Sequence, residues 1–403
     1  MPNAVLTKKL VKEIAKHGDD ALEQVDGLLQ DGSVKWDQID LPSILEHDFG
    51  GVGYRDLILT MPNDAIEAVI SSSIFNKMIV KQVRAALRET PKETYKLANL
   101  IPSETKGECE GRYEDHGAFS DIVVHEVSEL QKGPLYGLAT DYQRHPTAKS
   151  YSAGLAWTRE ALCKDPNGYL NSQIPKLRDA HFTKQEELLL DAFIGYTPSY
   201  DRSGTLYDTY YAEDGSSTPF ASGASGPWIN AKALDFGCSA DLQSVRDLFY
   251  DMRDLVHGRP IDMDTSSLQL MTSRQKADAI RPKLLASAVE SDEDCGATGT
   301  RHYVMTAEVA NGMSFDLMSY QRLVDRIVAR WSVTAADAQE WWFAGRIAEM
   351  FGFVWQIAPQ ITRCNLSSDD QRRRIVAVYD SLSKGYAYVK NPYKGVMLTP
   401  PAS

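Results

Sequence analysis

The sequence predicts an α+β fold built from helices and small mixed sheets. Two observations point there. Several windows carry apolar residues at a spacing near 3.6, the longest across 172–194, and between them lie short β-rich runs separated by charged, glycine-containing turns. No internal repeat or low-complexity segment is present, so a solenoid or fibrous architecture is not expected.

The elements follow in chain order. Val5, Leu6, Leu10, Val11 and Ile14 recur at helical spacing, and 20–29 repeats the pattern after Gly18-Asp19, so 1–48 reads as short helices. The run Gly50-Gly51-Val52-Gly53 reads as a hinge. Ile74, Phe75, Met78, Ile79, Val83 and Leu87 predict an amphipathic helix over 72–87, ended by Pro91. Residues 95–101, 122–127 and 154–158 read as strands. The connection 128–151, with Gly133, Pro134, Gly137 and Pro146, has too few apolar residues for a core of its own and must lean on the body or on another chain.

The longest helix is expected to start near Ser172, with Pro175 in its first turn and Gly195 as a left-handed cap. Ile174, Leu177, Leu188 and Ala192 share one stripe, with Phe182, Leu189 and Phe193 beside it. Residues 196–230 read as an irregular excursion. Helices are expected over 241–257, closed by Gly258, over 274–288 with a kink at Pro282, and after a cap at Ser319. A short strand is expected at 268–271. The aromatic block Trp341, Trp342, Phe343, Phe351, Phe353 and Trp355 reads as core, 371–380 as a basic helix, and 386–389 as the closing strand.

At 403 residues the chain is long enough for one to three domains, and 43% hydrophobic with 24% charged residues excludes wholesale disorder. Forty-three basic against 55 acidic residues give a net charge of −12, which argues against a surface devoted to gripping nucleic acid. It leaves room for a protein that encloses nucleic acid without gripping it. No stretch reaches the roughly 18–20 apolar residues of a membrane span, and the first residues carry charge with no apolar core behind them, so no signal peptide is expected. Cys109, Cys163, Cys238, Cys295 and Cys364 form no Cys-x-x-Cys pair, so neither a zinc site nor a disulfide framework is readable, and a reducing, cytoplasmic site of synthesis fits.

Signatures of catalysis are sparse. None of the eight histidines pairs with another ligand at a metal-binding spacing, and His125-Glu126 sits in a strand run whose neighbours point to opposite faces. Asp262 with Asp264, and Asp292 to Asp294, are the tight carboxylate clusters. They read as solvated turns, the alternative being a hard-cation or acid/base site. No nucleophile elbow, P-loop or dinucleotide fingerprint occurs, and Gly223 to Gly226 reads as a flexible loop. Arg372-Arg373-Arg374 reads as a solvated face or an ion pair between subunits. No catalytic, cofactor-binding or metal residue is nominated.

Element order and a few segments carry a resemblance. Tyr151 to Leu162, with Trp157-Thr158-Arg159-Glu160 followed by Asp165 and Gly168, resembles the strand-to-spine-helix junction of the major capsid proteins of tailed bacteriophages. Glu186 to Gly195 resembles the end of that spine helix. Trp341-Trp342-Phe343 resembles the aromatic segment before the late backbone strands, and 370–380 with 386–390 resembles the closing helix and strand. The resemblance covers about 73–395.

It implies the tailed-phage capsid fold: an N-terminal helical extension at 1–72, an N-terminal arm with the first peripheral-domain strand at 73–119, an extended loop at 120–157, a peripheral domain with the spine helix at 158–225, an axial domain at 226–345, and return strands with the C-terminal segment at 346–403. In this family a leading extension can be a scaffolding segment cut away on maturation; cleavage of 1–72 is not expected here. The implied function is a self-assembling icosahedral shell around a double-stranded DNA genome, located in the virion and assembled in the host cytoplasm. The implied partners are the chain itself in pentamers and hexamers, a portal, scaffolding or decoration proteins, and packaged DNA held without sequence specificity; no cofactor and no membrane is implied. Lys132, Arg144 and Lys149 of the loop, and Arg178 and Lys184 of the spine helix, are the implied intersubunit contacts. Some relatives cross-link a loop lysine to an asparagine of the next subunit; Lys132 and Lys149 are the loop lysines here, without an identifiable partner, and ordinary ion pairs are expected instead. Two alternatives stay open: an encapsulin-like nanocompartment shell, against which the extension at 1–72 weighs, and a soluble hydrolase using Asp262 and Asp264.

Overall fold

Around one long helix stand two main sheets and a layer of N-terminal helices. The computed structural model describes them over residues 2–17, 19–31, 33–35, 38–39, 41–50, 60–72, 74–88, 93–106, 114–117, 141–163, 169–196, 200–202, 204–212, 221–222, 228–234, 239–253, 260, 265, 267–285, 289–290, 303–304, 315–367, 370 and 373–400. The class is α+β, as the sequence predicts.

The N-terminal layer is α1 (Pro2–His17), α2 (Asp19–Gln30), α3 (Leu41–Asp48), α4 (Asn63–Ser72) and α5 (Ile74–Arg88). Their apolar stripes meet: Val11, Ile14, Val25, Leu29, Ile44, Ile66, Ile70, Phe75, Met78 and Ile79 are buried in one cluster with Trp157, Ile174, Leu177 and Tyr379 from later in the chain. These helices therefore share a core with the rest of the molecule. Asp48 adds a polar tie by accepting the N–H of Phe75 at 2.8 Å.

Residues 95–101, expected as a strand, instead contain the short helix α6 (Lys96–Leu100). Tyr95, Leu97 and Ile101 mimic a strand pattern, but the Glu186 carboxylate accepts the N–H groups of Leu97 and Ala98 at 3.0 and 2.7 Å. A distant side chain thus satisfies the donors that open a helix.

The first main sheet has the order β1-β15-β16-β4, with β1 (Ser103–Thr105), β4 (Lys149–Thr158), β15 (Phe351–Cys364) and β16 (Ile375–Val389). β15 and β16 form a long antiparallel hairpin, β4 pairs antiparallel with β16, and β1 runs parallel to β15. The register of the hairpin slips between Ile357 and Gln360. Pro359 lies there, and a proline has no N–H to give the ladder. Gly385 lies directly beneath Trp355: a Cβ on it would come within 2.5 Å of the indole ring. β16 overturns the basic helix expected over 371–380, and it begins just after Arg374, which has a positive φ of 58°.

α7 (Arg159–Cys163) leads to the long helix α8 (Tyr169–Phe193). Its 25 residues give a rod of about 37 Å at 1.5 Å per residue. It begins three residues before Ser172, so Pro175 lies inside the helix and not in its first turn. The C-terminus is as expected: Gly195 has φ +70°, Tyr196 N–H reaches the Asp191 carbonyl at 2.9 Å and Gly195 N–H that of Ala192 at 3.1 Å. A Cβ at Gly195 would lie 2.8 Å from the Tyr210 ring.

The expected irregular excursion contains strands. β5 (Tyr200–Arg202) and β6 (Thr205–Tyr207) form a hairpin that joins β2 (Glu114–Gly117) and β3 (Asp141–Arg144) in the order β2-β3-β5-β6, and β7 (Tyr210–Tyr211) pairs with β8 (Ala221–Ser222).

The second main sheet has the order β13-β10-β14-β17-β9, from β9 (Ala231–Ala233), β10 (Leu268–Thr272), β13 (Phe315–Ser319), β14 (Trp342–Gly345) and β17 (Gly395–Thr399). β11 (Val289–Glu290) and β12 (Tyr303–Val304) form a separate pair. Leu268, Leu270, Trp342, Ala344, Val396 and Leu398 face α9 (Ser239–Asp251), whereas Met271, Phe343 and Met397 face the core that includes Phe193. Both faces are covered, which is why these strands read as unbroken apolar runs. α9 ends at Asp251, short of the expected His257, and Arg253 forms an antiparallel bridge with Pro260.

α10 (Arg274–Leu285) contains Pro282, and Ser319 closes β13 instead of capping a helix. The N-cap of α11 (Gln321–Trp331) is Tyr320. α12 (Ala335–Gln339) and α13 (Ile347–Met350) are short connectors before β14 and β15, and the aromatic block is core, with Trp341, Trp342, Phe343 and Phe351 at 0–2% exposure. β16 is not the last strand: after a 3-10 turn at Pro392–Lys394, β17 returns the chain to the second sheet. Gly51 to Gly53, Pro91, 122–127, 128–140, Gly223 to Gly226, Gly258, Asp262, Asp264, 292–294 and Arg372 lie outside the described residues.

Candidate functional site

The chemistry of the chain concentrates along α8. In its first half Ile174 and Leu177 enter the core built by the N-terminal helices, and in its second half Leu189, Ala192 and Phe193 enter the core beneath the second sheet. Phe193 stands 4.5 Å from the Phe343 ring and 5.6 Å from that of Phe351, centre to centre. One helix thereby belongs to two cores.

Between those apolar faces runs a polar seam with α6 and α11. Glu186, 1% exposed, accepts from Leu97 and Ala98 in α6 and from the Tyr320 hydroxyl at 2.5 Å. Burial pushes its carboxyl above the usual carboxylate range, and the three donors with the nearby Arg322 pull the other way. Burial and the neighbouring Glu186 together hold the Tyr320 hydroxyl protonated far beyond the ordinary tyrosine range. Tyr95 extends the seam: its hydroxyl is 3.1 Å from that of Thr183, and the Arg322 guanidinium lies 4.7 Å from its ring centre.

One turn on, Asp191 is gripped from two sides. Arg326 donates to both carboxylate oxygens at 2.6 Å, and Arg330 to the same two at 3.0 and 2.8 Å. Arg326 and Arg330 are four residues apart on α11, so one helix face supplies both planar forks. Arg330 also lies 4.7 Å over the Tyr196 ring, and the bond to Asp191 raises its proton affinity further. A cleft between the two helices is lined by Thr183, Glu187, Leu190, Arg322, Asp325 and Ala329.

On the opposite side α8 meets the first sheet through His181, whose two ring nitrogens face Ser381 and Ser383 of β16. The neutral ring is favoured here, because burial pushes its pKa down against a smaller opposing effect of Asp380.

The residues that the resemblance nominated are scattered. Lys132 lies outside the described residues. Lys149 opens β4 and is exposed, and Arg144 is half-buried at the end of β3 opposite Asp201. Lys184 is half-buried, 3.0 Å from Glu187 and 5.2 Å from the centre of the Tyr151 ring. Arg178 is 7% exposed and makes two 3.1 Å contacts to Asp179. Sequence reasoning missed Asp191, Glu186 and His181 as organising groups. The i, i+4 arginines of α11 were the available signal, but their partner lies more than 130 positions upstream. Arg374, expected on a helix, bonds Glu160 at 3.0 Å from an exposed turn. Among the described residues no group of three or more His, Cys, Asp or Glu could hold a metal ion, and no helix is long and apolar enough to cross a membrane.

No protein-family model and no curated protein matches the chain. Among solved structures it is similar to the capsid of a native GTA particle, at 12% identity and a TM-score of 0.46, covering 78% of this chain and 93% of that one. It is also similar to a chain of the bacteriophage PhiM1 mature capsid, at 10% identity and 0.42, covering 76% and 87%. A chain from Gordonia phage Cozz has 15% identity and a TM-score of 0.42, covering 76% and 86%.

Proposed function

We propose that this chain is a major capsid protein: a structural subunit that tiles, as pentamers and hexamers, into an icosahedral shell around double-stranded DNA. The observation that carries the reading is the long helix held in two cores at once. Its buried polar groups, Glu186, Asp191 and His181, bond to α6, α11 and β16, and so join elements that lie far apart in the sequence. A shell tile needs a strut that transmits curvature between its parts, and closed symmetry multiplies modest contacts between tiles. The element order that resembles this family in the sequence supports the same reading, and the excess of acidic residues suits a lumen through which packaged DNA must move.

On this reading the chain resides in the virion after assembly in the host cytoplasm, with a portal and scaffolding or decoration proteins as its other partners. Its function is geometric, and no residue is assigned to catalysis. Lys149, exposed at the foot of β4, and Lys132, Arg144, Arg178 and Lys184 are the proposed contacts to neighbouring copies.

Electron microscopy of the expressed, purified chain tests the proposal. Closed particles or capsomers are expected, with a lower yield from Lys149→Glu that worsens at low salt. A monodisperse monomer at every concentration and salt overturns it.

A further inference from the structure

His181 lies in the middle of α8, 3% exposed and turned toward a strand. Its Nε2 is 2.6 Å from Ser381 Oγ and its Nδ1 3.0 Å from Ser383 Oγ, and both serines are fully buried on one face of β16. Ser381 commits its own hydroxyl hydrogen to the Ala153 carbonyl of β4 at 2.8 Å. Its oxygen can therefore only accept from the ring, which places the ring hydrogen on Nε2. Nδ1 is then an acceptor, and Ser383 donates to it. The result is a directed relay, Ser383 to His181 to Ser381 to Ala153, that crosses from the long helix through β16 into β4.

A proton added to Nδ1 breaks this relay. Both ring nitrogens would then donate, Ser383 would have to turn its hydrogen into the packed interior, and a full charge would sit between two hydroxyls. The Asp380 carboxylate acts on the ring but does not bond it; it lies on the other side of the strand and accepts from Ser152 at 2.7 Å. Other titratable groups on the elements packed around the helix are occupied elsewhere. Arg178 is paired with Asp179, Lys184 with Glu187, Lys81 of α5 with Asp26, Arg326 of α11 with Asp191, and the Tyr379 hydroxyl of β16 with Asn76.

We propose that His181 is an acid-sensitive pin: its neutral ring fastens the long helix to the first sheet, and its protonation loosens that joint. The inference concerns the folded chain itself and stands whether or not the chain builds a shell. The sign follows from the neutral ring being the form the fold favours. The stability it contributes is complete above the ordinary histidine pKa of about 6.5 and is lost as the pH falls below it.

The test is hydrogen exchange at the histidine C2 position, read by mass spectrometry on the full chain between pH 4 and 8. His181 is expected to titrate below the ordinary histidine value of about 6.5, and to exchange more slowly than it does in the urea-unfolded chain. Melting of wild type and His181→Gln at pH 7.5 and 5 gives the second reading. Glutamine keeps a donor and an acceptor but cannot take the proton, so the wild type should lose about 2 °C more on acidification. Ser383→Ala, which removes the donor to Nδ1, should move the His181 midpoint upward. A His181 midpoint at or above about 6.5 overturns the proposal, as does an equal acid loss in both proteins. The exchange reading decides the matter if the glutamine variant does not fold.

Discussion

The first half of α8 presents Ile174 and Leu177 to an apolar core shared with Trp157, Phe75 and Tyr379, whereas the second half ends on Asp191, a buried carboxylate between two arginines. The apolar seam is non-directional. Its strength scales with area, and it accepts any well-packed partner. The charged seam gains less net energy, because burying ions costs much of what their attraction returns, but it accepts only one angular setting of α11 against α8. The same helix is therefore fastened by apolar packing in both halves, and its second half is in addition set in angle by the charged clamp, which suits a strut between two bodies.

Three substitutions sharpen or break that contrast, in falling order of effect. Trp157→Ala removes an indole 2% exposed, set 5.8 Å from the Phe75 ring and 5.3 Å from that of Tyr379. It should cost about 4 kcal/mol in urea denaturation, equally at low and high salt. Asp191→Ala leaves two guanidinium groups facing each other without their anion. Because Arg326 and Arg330 remain partly open to water, the loss should be about 2 kcal/mol. It should shrink when the same titration is repeated in 1 M salt, where the arginines repel each other less. Lys184→Ala touches a pair about one-third exposed on each side and should cost at most about 0.5 kcal/mol. If Asp191→Ala proved as mild as Lys184→Ala, the clamp would be surface decoration and the contrast between the halves would collapse.

The N-terminal helices were legible because each buries one stripe, and the long helix because its first half repeats apolar residues at helical spacing, so local periodicity and tertiary role coincide there. Of β16 the end, 386–389, was legible and the start was not, since two of its inward positions are Ser381 and Ser383. Their polarity answers to His181, some 200 residues earlier, and it erases the alternation that marks a strand. Residues 96–100 failed for a related reason: the carboxylate that supplies their helix start belongs to Glu186. Tyr320 stands at the cap in place of Ser319 because Ser319 is paired with Thr272 as the last residue of β13. As for the candidate site, the arginine spacing on α11 was visible in the sequence, but the anion it grips was not, because nothing local links Asp191 to residue 326. Sequence reading succeeded where a residue answers to its neighbours and failed where it answers to a partner across the fold.

The placement of β17 has a further implication, for timing. It stands between β14 and β9 in the second sheet, and the other β contact of β9 among the described residues is a single bridge from Ala231 to Ala212. Residues 231–233 thus emerge from the ribosome some 160 residues before the strand that will hold them. The second sheet must wait, its edge open, until β17 has been made, so a product truncated before Gly395 would carry an unfinished sheet and be easy for quality control to recognise.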